Sequence, residues 1–77
     1  MDMCKHFAAS LKYYRVRLGY SQGDLAIKLK ITQQAVSLWE NGTKTPRLRE
    51  LERIASALKV SVGLLLGLEE IKSIPQG

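Results

Sequence analysis

The 77 residues include one cysteine, one histidine, one phenylalanine, one tryptophan and two prolines. Cys4 alone cannot close an internal disulfide, which fits a reducing compartment. Cys4 and His6 together cannot complete a structural zinc site. No apolar run approaches the ~20 residues of a membrane span. The start, Met1 to His6, has no apolar stretch behind a basic segment, so no signal peptide is expected. No glycine-rich phosphate loop, metal cluster or pocket between subdomains is legible, so neither an enzyme nor a cofactor is expected. Cys4 and His6 lie close enough to suggest a nucleophile and its base. They sit beside a terminus prone to fraying, and no catalytic role is assigned to them.

Positive charge is abundant. Lys and Arg number 12 against 7 Asp and Glu, giving a net charge of +5. Residues 1–49 carry nine basic and three acidic side chains, whereas residues 50–77 carry three basic and four acidic. The positive field therefore belongs to the first part of the chain, as expected if one end of a small domain meets a polyanion. Hydrophobic residues make up 45% and charged residues 25%, an ordinary globular balance.

The apolar spacing is helical nearly throughout, and no segment alternates with period two, so the fold class is all-α. Phe7, Leu11, Tyr14 and Leu18 share one face of a first helix, which Gly19 ends. Tyr13 and Tyr20 are expected nearer the surface. Ser21 caps a second helix holding Leu25, Ala26 and Leu29. Thr32 caps a third with Val36 and Trp39, stopped by Asn41-Gly42. After a polar loop from Thr43 to Pro46, a fourth helix aligns Leu48, Leu51, Ile54, Ala55 and Leu58. Ser61 caps a short fifth helix. Residues 1–68 form the expected domain and residues 69–77 a C-terminal tail.

The informative stretch runs from Gln22 to Asn41. Two helices of roughly eight residues joined by a short turn make the helix-turn-helix pattern. Leu25, Val36 and Trp39 point inward to set the crossing, and Ala26 is small where the second helix crosses close. The third helix then turns Gln33, Gln34, Ser37 and Leu38 outward. A glutamine amide carries a donor and an acceptor, matching N6 and N7 of adenine in the major groove. The bland alternative is that Gln33 and Gln34 are ordinary surface polar residues. Helix N-termini around Gln22 and Arg47 offer free backbone N–H groups to phosphates.

Ser-Gln-x-x-Leu-Ala over 21–26, Thr32-Gln33-Gln34, Glu-Asn-Gly over 40–42 and a proline before the next helix resemble the Cro/repressor-type (XRE-like) helix-turn-helix family, in its phage-repressor form. The resemblance covers Phe7 to Leu66. It implies a compact five-helix, lambda-repressor-like domain that binds double-stranded operator DNA, usually as a homodimer. It implies that Gln33 and Gln34 read bases, with Ser37 beside them and apolar Leu38 near a thymine methyl. It implies phosphate contacts from Gln22, Thr43, Lys44 and Arg47, and an ion pair between Arg15 and Glu40 that ties the first helix to the third. Without the resemblance, Arg15 reads equally as solvated charge.

Three positions depart from the family pattern. Lys30 and Lys59 stand where glycine is common, and Gly63 stands where many relatives carry an acid. The expected function is sequence-specific transcriptional regulation in the cytoplasm, at the nucleoid, most simply repression. The alternative is an interaction module on the same fold, such as an antitoxin with a toxin partner. Val62, Leu64, Leu65, Leu66, Leu68, Ile71 and Ile74 are more apolar residues than a short helix and tail can hide. Either a second copy covers them, or the chain is the N-terminal fragment of a longer repressor.

Overall fold

Among the described residues five helices follow one another, each broken by a residue with a backbone reason to stop. They are α1 (Met3–Arg17), α2 (Gln22–Leu29), α3 (Gln33–Glu40), α4 (Leu48–Leu58) and α5 (Val62–Leu66). The computed structural model describes residues 3–68. The tail from Glu69, with Ile71 and Ile74, lies outside the described residues.

The caps explain the starts. The Ser21 hydroxyl accepts from the Asp24 N–H at 2.9 Å, and the Asp24 carboxylate accepts from the Ser21 N–H at 2.8 Å. This reciprocal box satisfies two N–H groups that the helix cannot. The bond from the Ser21 backbone holds the Asp24 carboxyl below its ordinary pKa, with help from the Ser21 side chain. Thr32 accepts from the Ala35 N–H at 3.1 Å, and Ser61 from the Leu64 N–H at 3.0 Å. At α4 the Glu50 carboxylate reaches back to the Arg47 N–H at 2.8 Å.

Every helix contributes to one core. Phe7 and Leu11 come from α1, Leu25, Ala26 and Leu29 from α2, and Val36 and Trp39 from α3. Ile54, Ala55 and Leu58 come from α4, and Leu65 from α5. Each fully buried side chain of leucine size contributes roughly 1.5–3 kcal/mol. The inward assignment of Leu25, Val36 and Trp39 agrees with this core.

Three apolar assignments need correction. Leu18 was expected on the buried face of the first helix, but α1 ends at Arg17 and the turn into Gly19 leaves Leu18 exposed. Leu48 begins α4 beyond the edge of the core and is 67% exposed. Tyr20 is half-buried against the core rather than near the surface. Tyr14 is half-buried and meets exposed Tyr13 edge to face, with centroids 5.0 Å apart.

The helix exits differ in strain. Lys30 (φ 60°) closes α2 and Lys59 (φ 62°) closes α4, both in the left-handed region. A side chain there costs roughly 1–2 kcal/mol that glycine avoids. Gly67 (φ +79°) closes α5, and a Cβ there would lie 2.7 Å from the His6 ring. We therefore expect opposite shifts in the urea midpoint. Lys59→Gly should add about 1 kcal/mol of stability, and Gly67→Ala should remove about 2 kcal/mol. A lowered midpoint for the first, or an unchanged one for the second, contradicts this account of the caps.

Candidate nucleic-acid interface

The helix-turn-helix is held from beneath by a buried cluster. The Arg15 guanidinium on α1 grips the Glu40 carboxylate on α3 with two bonds, Nε to Oε2 at 2.5 Å and Nη2 to Oε1 at 2.9 Å. Nη1 donates to the Tyr20 carbonyl at 2.8 Å. Gln22, the first residue of α2, donates its Nε2 to Glu40 Oε1 at 3.1 Å. Arg15 is 8% exposed. Its pKa is raised, first by the side-chain bond to Glu40, with burial working against the charge and the Glu40 field for it. Buried charges of this kind persist only when paired and bonded.

Above this cluster α3 turns its first residues outward. Gln33 and Gln34 are exposed, and Ser37 and Leu38 half-buried. Among the described residues the Gln33 and Gln34 amides have no hydrogen-bond partner. The Gln33 amide lies over Gly23 of α2, where a Cβ would be 3.5 Å from its oxygen, an ordinary contact. Thr32 takes the Ala35 N–H, and the Gln33 and Gln34 N–H groups before it have no intrahelical acceptor.

The loop after α3 is fastened to it. The N–H groups of Thr43 and Lys44 both donate to the Leu38 carbonyl, at 3.0 and 3.2 Å. Asn41 Oδ1 accepts from the Thr43 N–H at 2.9 Å, and Gly42 supplies the positive φ of the turn. The Lys44 and Arg47 side chains are exposed and form no ion pair among the described residues. The loop is thus bonded directly to the helix that carries the exposed amides. Gln22 differs from the other phosphate assignments, since one of its two amide hydrogens is committed to Glu40.

A five-helix core with a clamped α2–α3 pair and an exposed amide edge is joined by agreement in sequence. The helix-turn-helix family profile matches residues 11–65. The chain belongs to the Cro/repressor-type helix-turn-helix family. This helix-turn-helix chain is similar to the 26 kDa repressor protein of Escherichia phage HK022, 44% identical over 46 residues, which make up 60% of this chain and 20% of that protein. Among solved structures it is similar to the hypothetical transcription factor NHTF from Neisseria, with a TM-score of 0.80 and 31% identity over 84% of this chain and 75% of that one. It is also similar to apo-HppE, with a TM-score of 0.77 and 36% identity over 82% of this chain and 35% of that one. The chain spans about a fifth of the phage repressor and about a third of HppE. Among the described residues, no group of three or more His, Cys, Asp and Glu could hold a metal ion. No helix among them is long and apolar enough to cross a membrane.

Sequence reasoning did not find the bond from Gln22 to Glu40, nor the anchoring of Thr43 and Lys44 on the Leu38 carbonyl. The first leaves no signal beyond two polar residues 18 positions apart. The second was foreshadowed by Asn41-Gly42, which announces a tight turn.

A double-mutant cycle tests the clamp. Arg15→Ala or Glu40→Ala alone should each cost about 3 kcal/mol, because each strands a buried charge. The double variant should lose well short of the sum. Additive losses in chemical denaturation mean that the two side chains are not coupled.

Proposed function

We propose that this chain is a sequence-specific DNA-binding transcriptional regulator that lays α3 in the major groove. The observation that carries the reading is the unpartnered amide pair, Gln33 and Gln34, at the exposed start of α3, beside a loop fastened to the same helix. Gln33 and Gln34 read base edges, adenine best satisfying both ends of the amide. Ser37 adds a hydroxyl, and Leu38 meets a thymine methyl. Thr43, Lys44 and Arg47 set the register on phosphates, and Gln22 contributes its remaining amide hydrogen and the start of α2. On this reading the protein works in the cytoplasm, at the nucleoid. Repression is the simplest outcome and accords with the phage HK022 repressor. The likeness to HppE covers about a third of that chain, and we read this chain as a binding module rather than an enzyme. An antitoxin that also engages a toxin is the second reading. It predicts the same DNA contacts and differs in a protein partner.

The regulator acts as a homodimer on this reading. An apolar recess of about 70 Å³ is lined by Cys4, Phe7, Pro46, Leu51 and Leu66, among others. Leu48, one turn before Leu51, and Leu68, just after Leu66, are each 67% exposed. A second copy seated there buries both, and a twofold pairing sets two α3 helices ~34 Å apart, one turn of duplex.

Selection of bound sites from random duplexes tests the reading as a whole. Gln33→Ala should cost roughly 1–3 kcal/mol on the selected site and relax one base position. Lys44→Ala should weaken binding to all duplexes and reduce the salt slope by about one. A Gln33→Ala variant that selects the same site rules out the assignment of α3. Sedimentation should show a dimer at high micromolar concentration that Leu48→Glu dissociates. A monomer under those conditions, with and without the selected duplex, removes the homodimer.

A further inference from the structure

A second charged surface lies between α2 and α4. A groove of about 480 Å³ is lined by Lys28, Arg49 and Arg53, with Glu52 the one carboxylate and Leu29 and Ala57 the apolar residues. None of the three cations forms an ion pair with a described carboxylate, although Glu52 shares the groove. Two of them are held in place. The Arg53 Nη2 donates to the Leu29 carbonyl at the end of α2, and the Lys28 ammonium sits 5.7 Å from the centre of the Tyr20 ring. Lys30 follows at the exit of α2 and adds to the same field.

We propose that this groove docks an acidic segment of a partner protein. Its cations form no ion pair with a described carboxylate, and two of the three are held in place, which lowers the ordering cost of binding. The Arg53 bond to Leu29 uses one of five guanidinium donors and leaves a fork suited to a carboxylate. Ala57 and the lysine and arginine stems give the groove a modest apolar floor, which suits a segment that interleaves Asp or Glu with apolar side chains. Position argues the same way. Lys28 lies six residues along α2 from Gln22, and Arg53 six along α4 from Arg47, a displacement of ~9 Å in each helix from the ends assigned to phosphates, with Arg49 nearest to them. A partner held here leaves the exposed edge of α3 uncovered, so a DNA-bound copy can still be engaged.

The test uses the whole chain and a fluorescein-labelled peptide in which glutamates alternate with leucines, with a glutamine-for-glutamate peptide as control. The acidic peptide should bind by anisotropy, weaken as salt rises and leave the control unbound. Lys28→Glu with Arg49→Glu should weaken it more than tenfold while leaving the Arg53–Leu29 bond intact, so a fold lost with Arg53 does not obscure the result. The selected duplex should not displace the peptide, and this variant should lose far less duplex affinity than the charge-matched Lys44→Glu, Arg47→Glu variant. No binding of the acidic peptide overturns the proposal, as does equal binding of the control. Displacement of the peptide by the duplex, or loss of peptide binding in Lys44→Ala, shows that the peptide sits on the α3 face and also overturns it. A loss of duplex affinity equal to that of the Lys44, Arg47 variant makes the groove a phosphate surface instead and overturns the proposal. Failure of site selection removes the DNA reading and leaves the peptide result standing, so the two fail separately.

Discussion

The bonded contact between Arg15 and Glu40 is the constraint on which the rest depends. One carboxylate accepts two bonds from α1 and one from Gln22 of α2, while the same guanidinium also holds the Tyr20 carbonyl. The end of α1, the turn after it, the start of α2 and the end of α3 therefore meet in one place. An eight-residue helix such as α3 has too few internal bonds to persist alone. Its direction comes from Val36 and Trp39 in the core and from Glu40 at its last turn. Removing water from two charges is costly, and only the complete set of partners makes it tolerable.

From that fixed point the loop inherits its position. The Leu38 carbonyl takes the N–H groups of both Thr43 and Lys44, so the chain beyond α3 is an extension of the helix rather than a free linker. The surplus of cations in residues 1–49 is carried by the elements this arrangement orients. On the proposed reading, long-range attraction to a polyanion comes from that surplus, while choice among sequences falls to a few short polar groups on α3.

Much of the fold was legible because starts and stops are written in local chemistry. Ser21, Thr32 and Ser61 cap the helices they were expected to cap, and Gly19 and the Asn41-Gly42 pair end theirs. The periodic pattern shows which way a side chain points but not where its neighbours end. Leu18 and Leu48 fall on the right stripe and overhang the core. Tyr20 follows Gly19 in the motif that ends α1, its N–H donating to the Arg15 carbonyl at 3.1 Å, and the apolar residue at that position packs back toward the helix. The residues of the α3 edge could be named from their spacing and the family pattern. The clamp below it needed the resemblance, since residues 25 positions apart carry no mark of contact. The α2–α4 groove was not legible at all, because Lys28 and Arg53 come together only through packing.

Gln33 and Gln34 stand apart from the residues that hold them. Their side chains take no partner from the described protein, whereas Arg15, Glu40, Val36 and Trp39 are engaged in buried contacts. Folding therefore asks little of the outward amides and much of the scaffold. If that edge reads bases as proposed, replacing them alters what it recognises without disturbing how it is mounted, so a lineage built on this scaffold can diverge in target by exchanging a few exposed residues while its architecture stays the same.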